Sequence, residues 1–421
     1  MYVRPDPSRV VVRPFKPATE PRDLNATDKT RANHIVDRVL ALDADSTLRE
    51  LNDVVENFEG RHRNLLEIFN ARAFEMEEAL AAHASFTAQQ RWLVGAYFMH
   101  EYSFEAAALF NPSIVPHFDQ SKAPPGGLCF ILSLRAVGEG HISSLTFRSG
   151  CFAADGRVTV DATSRLASIP KVTSRMPGVD GDAVELKFSA EEELSERVIF
   201  PVTESQSNGI EDARFVDFAD GDERIFYATY TAYSGRAIRS ELIATRDFIS
   251  FKMSPLTGSA ARNKGMALFP RRINGRYAMI ARQDNENLYL IYSDDLYRWN
   301  GGHALLKPHY PWEFVQIGNC GSPIELDEGW LLLTHGVGPV RRYSIGAVLL
   351  DKKDPSKVLG RLREPLLRPE PAERHGYVPN VVYTCGGMRH EDKIILPYAA
   401  SDTFSTFATI KIPALLSALR H

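Results

Sequence analysis

Residues 214–233 read RFVDFADGDERIFYATYTAY, and this stretch decides the fold. A short apolar run is followed by the polar sequence DGDE at 220–223 and then by alternating aromatic, small and β-branched residues. Such a pattern is typical of two antiparallel strands joined by a tight turn. The stretch therefore predicts a β-hairpin whose first strand begins near Arg214.

The same pattern recurs along the chain at nearly even spacing. Units open at Phe215, Phe269, Ile324 and Val381, so successive units are 54, 55 and 57 residues apart. A further unit, LCFILSLRAVGEGHISSLTF at 128–147, precedes them. Regular repetition of small antiparallel sheets is typical of β-propellers, in which each blade buries its faces against its neighbours. We predict an all-β, five-bladed β-propeller, because the alternative, a β-sandwich, does not explain the even spacing.

The first 109 residues differ from the rest of the chain. Thr87, followed by Gln90 three residues later, has the sequence of a capping box at the start of a helix. We predict an N-terminal α-helical extension with a Pro-rich lead over residues 1–109, packed on the propeller, and the propeller itself over 110–421. The segments with helical spacing are 34–42, 48–58, 61–80 and 88–102.

Composition and charge argue against several classes of protein. With 49 basic and 53 acidic residues the net charge is −4, so we expect no nucleic-acid partner. The apolar runs are too short to cross a bilayer, and the N-terminus lacks the apolar core of a signal peptide, so we expect no membrane association. No histidine or cysteine spacing predicts a metal site, and no glycine-rich loop predicts a nucleotide cofactor. The four scattered cysteines predict reduced thiols in a cytoplasmic protein: Cys129, Cys151, Cys320 and Cys385.

Polar residues stand near the openings of the predicted blades. Glu211 and Asp212 precede Arg214 at the mouth of a strand, where an unpaired charge is costly. In a propeller the innermost strands line one channel, so such positions converge although they lie tens of residues apart. A cavity with several cations and a few acids suits a polyhydroxylated substrate together with an anion. The other polar residues grouped in this way include Asn111, Ser113, Arg135, Arg262, Lys264, Arg282, Asp284, Glu286, Gln316, Asn319, His335, Tyr398 and Asp402.

Several stretches resemble glycoside hydrolase family 130, the β-mannoside phosphorylases and β-mannosidases. The resemblance covers residues 110–412 in the right order, and the five-bladed propeller known for the family agrees with the repeats. The stretches that carry it are GIEDAR (209–214), LFPRRINGRY (268–277), SDDLYRW (293–299), IGNCGSPIE (317–325), GWLLLTHGV (329–337), LLDKKDPSKVLGR (349–361), GYVPNVVY (376–383) and YAASDT (398–403).

The resemblance implies a role for individual residues. Asp212 matches the acid that protonates the glycosidic oxygen, through a sugar hydroxyl rather than directly. Asn111, Ser113 and Arg135 match positions that hold mannose. Further residues expected to bind substrate are Glu211, Arg214, Tyr398 and Asp402. The residues expected to bind phosphate are Arg262, Lys264, Arg282 and His335.

Two enzymatic reactions remain open. We expect phosphorolysis of β-mannosidic oligosaccharides with inversion, which gives α-mannose 1-phosphate and uses inorganic phosphate as co-substrate without a cofactor. Inverting hydrolysis is the alternative, because Gln316 stands where phosphorylases carry a lysine. The hydrolytic base would then be one of Asp284, Glu286 and Glu313.

Two non-catalytic functions are further alternatives. A carbohydrate-binding propeller keeps the sugar contacts but does not need Asp212, whose presence argues against it. A propeller scaffold for protein partners predicts a polar but unfocused channel, with the site residues facing apart. The linkage and the leaving sugar stay open. The helical extension is expected either to shape the leaving-group side or to form a homo-oligomer interface.

Overall fold

A computed structural model describes residues 1–18, 29–79 and 86–419. The chain divides into two compact units, which we treat separately: one holds Met1–Pro7, Phe104–Ser164 and Ile169–His421, and the other holds Ser8–Ser103 and Arg165–Ser168. The predicted boundary between residues 109 and 110 stays a prediction. No helix of the described residues is long and apolar enough to cross a bilayer.

Strands dominate the described residues. The helices are α1 (Arg31–Leu40), α2 (Ala44–Phe58), α3 (Leu65–Ala79), α4 (Ala88–Tyr97) and α5 (Ile412–Leu419). The strands are β1 (Tyr2–Val3), β2 (Val10–Pro14), β3 (Met99–Ser103), β4 (Ala108–Pro116), β5 (Leu128–Val137), β6 (Ser143–Phe152), β7 (Val158–Val160), β8 (Lys171–Met176), β9 (Ala183–Lys187), β10 (Val198–Ile199), β11 (Gly209–Asp220), β12 (Glu223–Tyr233), β13 (Ile238–Thr245), β14 (Ser250–Pro255), β15 (Ala267–Leu268), β16 (Tyr277–Ala281), β17 (Leu288–Ser293), β18 (His303–Leu306), β19 (Gln316–Asn319), β20 (Ile324–Glu325), β21 (Trp330–Val337), β22 (Tyr343–Leu350), β23 (Val358–Arg361), β24 (Val382–Tyr383), β25 (Met388–His390), β26 (Lys393–Ala400) and β27 (Phe404–Lys411).

Four helices form at the predicted N-terminal segments, which confirms the helical extension. The Thr87 side chain accepts a hydrogen bond from the Gln90 backbone, and the Gln90 side chain accepts one from the Thr87 backbone, so the predicted capping box is present. The prediction that the last helix reaches residue 102 is wrong. Residues 99–103 form β3, which pairs antiparallel with β2, because the β-branched run that begins at Val10 offers a strand partner.

The strand-rich unit contains four sheets. The predicted hairpin at 214–233 is confirmed as β11 and β12, and Asp220 pairs with Glu223 across the turn. His390 pairs with Lys393 across another tight turn, between β25 and β26. The strand orders are β1-β27-β26-β24 with β25 on β26, β4-β5-β6-β11-β12-β13-β14-β9-β8 with β7 and β10 on β6, β15-β16-β17-β18, and β19-β21-β22-β23 with β20 on β21.

The largest sheet contains two sets of strands, β4–β6 and β11–β14, which meet where Gly209 pairs with Ser143, so the unit has five strand groups. Backbone contacts link these five groups in a cyclic order. The group β4–β6 contacts β11–β14, which contacts β15–β18, then β19–β23, then β24–β27, and the last returns to β4. The contacts, in that order, are Gly209 beside Ser143, Ala219 N to Pro270 O at 2.9 Å, Ile317 N to Glu286 O at 3.0 Å, Tyr343 N to Asn380 O at 3.1 Å, and Cys385 N to Pro112 O at 2.8 Å.

Aromatic side chains pack between neighbouring strand groups. The Phe147 ring of β6 lies 6.0 Å from the Phe215 ring of β11, and the Phe269 ring lies 5.1 Å from that of Trp330. Each pair joins side chains from neighbouring groups, so the groups share apolar interfaces as well as backbone bonds.

The expectation of four reduced cysteines is wrong for one pair. Cys129 of β5 and Cys151 of β6 are direct cross-strand neighbours, with Cα atoms 4.0 Å apart, and form a disulfide. The sequence hides this pairing because 22 residues separate the two cysteines. Cys320 and Cys385 are free and buried. The cytoplasmic localisation stays a prediction.

Candidate functional site

Two β-bulges bring Asp212 and Asn111 together. In β11 residues 212–213, and in β4 residues 111–112, stand opposite a single residue of the neighbouring strand. Asp212 and Asn111 have positive φ angles of 53° and 49°. A left-handed backbone costs a non-glycine residue about 1–2 kcal/mol and is frequent at functional sites. Asn111 Nδ2 donates to Asp212 Oδ1 over 2.7 Å, so the predicted acid and a predicted mannose-binding residue meet.

The Asp212 carboxylate lies among cations. Arg135 donates from Nη1 to Asp212 Oδ1 over 3.2 Å and from Nη2 to Glu211 Oε1 over 2.8 Å. Lys264 Nζ reaches the other oxygen of Glu211 at 2.5 Å. Burial raises the pKa of Asp212, but the charges of Arg135, Arg214 and Lys264 outweigh burial and bring the pKa to about 2. Asp212 is therefore ionised at neutral pH in the free protein.

The carboxyl of Asp402 has a raised pKa, whereas the pKa of Asp212 is lowered. Burial raises the pKa of Asp402 to about 7; the guanidinium of Arg135 lowers it, and the charge of Asp212 raises it further. Arg341 also acts on this carboxyl and lowers its pKa. Two nearby carboxyls with pKa values pushed apart are typical of sites that move protons.

Arg214 ties three inner strand segments together. Its Nη1 donates to the backbone oxygen of Asp212 over 2.8 Å, and its Nε donates to Asn319 Oδ1 over 3.1 Å. Its Nη2 donates to the Tyr383 hydroxyl over 2.8 Å. Tyr383 received no role from the sequence, although it ends the stretch GYVPNVVY, and Asn319 was grouped with the site without a role. Arg214 thus holds the bulge that carries Asp212, the predicted acid.

Arg282 and His335 form a buried pair. Arg282 Nη1 lies 3.3 Å from His335 Nε2, and His335 Nδ1 lies 3.2 Å from the backbone oxygen of Asn319. Burial lowers the pKa of His335 well below its usual value, and the charges of Arg282 and Arg214 lower it further. The imidazole is therefore neutral, with Nδ1 donating to Asn319 and Nε2 accepting from Arg282.

The structure places other predicted residues in supporting contacts. Ser113 is buried and its hydroxyl accepts from the backbone N–H of Phe215 over 3.0 Å, which joins β4 to β11. Tyr398 donates its hydroxyl to Glu373 over 2.9 Å. Arg262 is exposed, unlike Arg282. The roles assigned to these residues stay predictions.

The three hydrolytic-base candidates lie in turns. Asp284 accepts from the backbone of Asn287 over 2.8 Å and from the Tyr289 hydroxyl over 2.7 Å. Burial raises the pKa of Asp284, but these hydrogen bonds hold it well below the usual range. Glu286 is exposed. Glu313 is fully buried, and its Oε1 accepts from two backbone N–H groups and from Arg361, the last over 2.6 Å.

No group of three His, Cys, Asp or Glu residues in the described ranges is arranged to hold a metal ion. The site consists instead of carboxyls, guanidinium groups and amides on bulged strands. Such groups can exchange a proton and can bind an anion through charge-assisted hydrogen bonds.

The chain belongs to glycoside hydrolase family 130, the family of the β-mannoside phosphorylases. Residues 179–421, more than half of the chain, match the family model described as β-1,4-mannooligosaccharide phosphorylase. A 1,2-β-oligomannan phosphorylase of Thermoanaerobacter sp. (strain X514) is 36% identical over 224 residues, which cover 52% of this chain and 74% of that relative.

Solved structures of the family share the fold. The β-1,2-mannobiose phosphorylase of Listeria innocua, in complex with β-1,2-mannobiose, is 23% identical with a TM-score of 0.54, over 74% of this chain and 92% of that chain. A structure from a study of family members that hydrolyse β-1,2-mannosidic linkages in Candida mannan is 19% identical with a TM-score of 0.53, over 74% and 86% of the two chains. At these identities the likeness concerns the fold alone.

Proposed function

We propose that this protein cleaves β-mannosidic bonds in oligosaccharides by phosphorolysis with inversion and releases α-mannose 1-phosphate. The observation that carries the proposal is the buried guanidinium of Arg282. Only 8% of Arg282 is exposed, and Arg282 forms no ion pair with any residue in the described part of the chain. Its Nε also finds no hydrogen-bond partner there. A buried cation without a counter-charge is costly, and a bound anion removes that cost.

Inorganic phosphate suits this position. Arg282 and Arg214 present guanidinium groups, which bind phosphate oxygens through paired charge-assisted hydrogen bonds. Burial lowers the pKa of Arg282, and the charge of Arg214 lowers it further, so a bound anion stabilises the protonated form of Arg282. His335 orients Arg282 and gains basicity when the anion arrives.

Phosphate also gives Asp212 the pKa that an acid needs. In the free protein the neighbouring cations hold the pKa of Asp212 at about 2. The negative charges of phosphate offset these cations, so phosphate binding raises the pKa of Asp212 toward the working pH. Water carries no charge and does not have this effect. Two of the three predicted hydrolytic bases, Asp284 and Glu313, are moreover committed to turns.

The strand-rich unit supports the finer proposal of a five-bladed β-propeller. The cyclic order of its five strand groups is the order that such a fold requires. One cavity of about 340 Å³ is lined by residues from all five strand groups. These residues include Val115, Val216, Pro270, Ile324 and Met388. The homo-oligomer and the cytoplasmic localisation stay proposals, and the expected partner is an oligosaccharide substrate.

Product analysis tests the reaction. The enzyme is incubated with β-1,2-mannobiose and with β-1,4-mannobiose, each with and without inorganic phosphate, and sugar products are separated. Mannose 1-phosphate formed only with phosphate supports the proposal, and the better disaccharide gives the linkage. Free mannose at equal rates in both tubes would establish the hydrolase instead.

Replacement of Arg282 by Gln tests the phosphate site. Because charged hydrogen bonds contribute about 1.5–3 kcal/mol each, we expect the KM for phosphate to rise at least tenfold. The unfolding temperature of the free enzyme should not fall, since the variant removes an unpaired buried charge. Arg262→Gln, which changes the exposed arginine, is the matched control. A phosphate KM that moves with Arg262 and not with Arg282 would place the phosphate elsewhere.

A further inference from the structure

Two hairpins in different strand groups have the same strand register and the same loop length. In β5–β6, Arg135 pairs with Leu145 and Val137 pairs with Ser143. In β21–β22, His335 pairs with Ile345 and Val337 pairs with Tyr343. Both hairpins therefore place a residue of the site at the same register position, two residues before the strand ends. We call their connections, residues 138–142 and 338–342, the twin loops.

The twin loops share one backbone conformation. Gly138 and Gly338 are both extended, with φ, ψ of −114°, −154° and −107°, −162°. Each donates its N–H to the backbone oxygen four residues later, over 3.4 Å and 3.0 Å respectively. The third and fourth positions of both loops are left-handed. Their φ angles are 67° and 60° at Gly140 and His141, and 57° and 52° at Val340 and Arg341.

Val340 has a backbone conformation that is unfavourable for a β-branched side chain. A left-handed backbone places no strain on glycine, which the first twin loop uses at Gly140, but it is a strong outlier for a β-branched residue. Val340 is also 91% exposed, so it gains no burial in return. Folding alone favours glycine at this position. Strain of this kind, held in an exposed loop, points to a function outside the fold.

The second twin loop lies at the solvent end of the site. His335 and Arg282 are buried, and at 3.3–3.4 Å per strand residue the loop begins about 10 Å further along the strand from His335. The Arg341 guanidinium lies 5.8 Å from the Tyr343 ring, and that ring stacks on the ring of His335 with centroids 5.7 Å apart. The order from inside to outside is therefore the phosphate-binding pair, the Tyr343 ring, and the loop.

Inversion fixes where the leaving sugar must be. The nucleophile and the leaving group occupy opposite faces of the anomeric carbon when the displacement inverts its configuration. If phosphate lies at Arg282, the leaving sugar lies on the outer side, at the second twin loop. This step rests on the proposed phosphorolysis.

We propose that Val340 and Arg341 form a wall of the leaving-group subsite and select the leaving sugar, a neutral pyranose. Val340 packs against the C–H face of that sugar, and Arg341 donates to its hydroxyl or ring oxygens. Arg341 is exposed and enters no ion pair within the ranges that the structure describes, while its guanidinium lies 5.8 Å from the Tyr343 ring. In the first twin loop His141 is occupied instead, by the Tyr377 hydroxyl at 2.5 Å.

The reverse reaction tests the subsite, because it separates the two substrates. Wild type, Val340→Gly and Arg341→Gln are given α-mannose 1-phosphate with mannose, glucose or N-acetylglucosamine as acceptor. We expect the acceptor KM to rise about five- to tenfold in both variants, which is the effect of roughly one lost polar or apolar contact. The KM for α-mannose 1-phosphate should stay within about twofold, since tenfold already corresponds to a lost contact. The control is Val179→Gly, which changes a fully exposed valine in a different loop.

Stability separates the subsite from a structural role. Val340→Gly removes backbone strain, so its unfolding temperature should equal or exceed that of the wild type. An unchanged acceptor KM and unchanged acceptor preference in both variants would overturn the proposal.

If the wild-type enzyme shows no turnover, a binding measurement takes the place of the kinetic test. Failure with every acceptor and with mannobiose refutes the proposed phosphorolysis, and calorimetric titration with mannose then tests the loop by itself. Weaker mannose binding by Arg341→Gln supports the subsite, and equal affinity refutes it.

Discussion

Asp212, the proposed acid, can hold a proton only in a particular electrostatic state. Its carboxylate accepts from Asn111 and Arg135, and with a pKa of about 2 it has no proton to give in the free enzyme. The phosphate charges proposed above raise that pKa, so the acid becomes competent when the nucleophile is in place. Under the proposed phosphorolysis, this coupling would prevent protonation of the glycosidic bond before phosphate is bound.

Asp212→Asn should lower kcat at least about 100-fold, because general acid catalysis typically contributes 10²–10⁴-fold. The amide keeps the size of the side chain and its hydrogen bond from Arg135, so the affinity for mannose should stay close to that of the wild type. Steady-state kinetics and mannose titration measure the two effects. Asp217→Asn, on the same strand and paired with Arg224, is the control. Activity above about a hundredth of wild type would mean that another group is the acid.

Asp402 should make stability depend on pH. Its pKa is about 7 in the fold against 3.8 for the unfolded chain, so between these values the folded protein binds a proton that the unfolded protein has lost. The stabilising contribution is complete below pH 3.8 and is lost as pH rises toward 7. Asp402→Asn removes this dependence. Its free energy of unfolding should therefore rise relative to that of the wild type by about 2–4 kcal/mol between pH 4 and pH 8. Urea unfolding of both proteins measures it, and an equal difference at both pH values would contradict it.

The sequence predicts some residues of the site better than others. Asp212, Asn111 and Arg135 lie together as expected, because equivalent positions of repeated units are close in space although they are distant in sequence. The hydrolytic-base candidates were chosen by proximity in sequence, and bonds such as that from Asn287 to Asp284 cannot be read from composition. Tyr383 was missed because nothing in its sequence context distinguishes a tyrosine that binds Arg214 from one that packs in the core.

At the scale of elements, β-bulges shape the site. A regular strand would alternate Asp212 and its neighbours between two faces, whereas the extra residue at 212–213 re-aims the acid toward Asn111. The sequence GIEDAR does not reveal a bulge, since Ala213 fits a regular strand equally well. The capping box at Thr87 is different, because both of its partners are local and readable.

The turn at Pro311–Glu313 depends on a buried carboxylate. Glu313→Gln keeps one acceptor for the His309 and Tyr310 backbone but loses the charge that pairs with Arg361. We expect a loss of about 2–4 kcal/mol in the free energy of unfolding. Glu364→Gln, which breaks an exposed pair with Arg368, is the control and should change stability by less than about 1 kcal/mol.

The same variant separates a structural role from a catalytic one. If Glu313 only supports the turn, kcat below the unfolding temperature should match that of the wild type. A fall of about 100-fold in kcat with unchanged stability would make Glu313 the base of a hydrolase.

In the whole strand-rich unit, β1 and β27 pair although about 400 residues separate them in sequence. Val3 of β1 pairs with Ser405 of β27, and the Thr406 hydroxyl donates to the backbone oxygen of Met1 over 2.7 Å. The repeat predicts the number of units but not this strand, because two residues are too few to carry a pattern.

Val3→Ala should destabilise the unit. Val3 is buried, and removing two methyl groups costs about 1–2.5 kcal/mol through lost burial and an imperfectly filled space. Chemical unfolding measures the change. Val172→Ala, in the exposed strand β8, is the control, and an equal effect of both variants would mean that β1 adds nothing to the fold.

The pairing of β1 with β27 has a consequence for synthesis. The first residues leave the ribosome long before residues 404–411, so β1 waits without its partner while the earlier sheets form. The last sheet gains its outer strand only after residues 404–411 have been synthesised. A ribosome stalled before residue 404 should therefore carry a nascent chain whose residues 1–7 are open to protease, and synthesis beyond β27 should protect them.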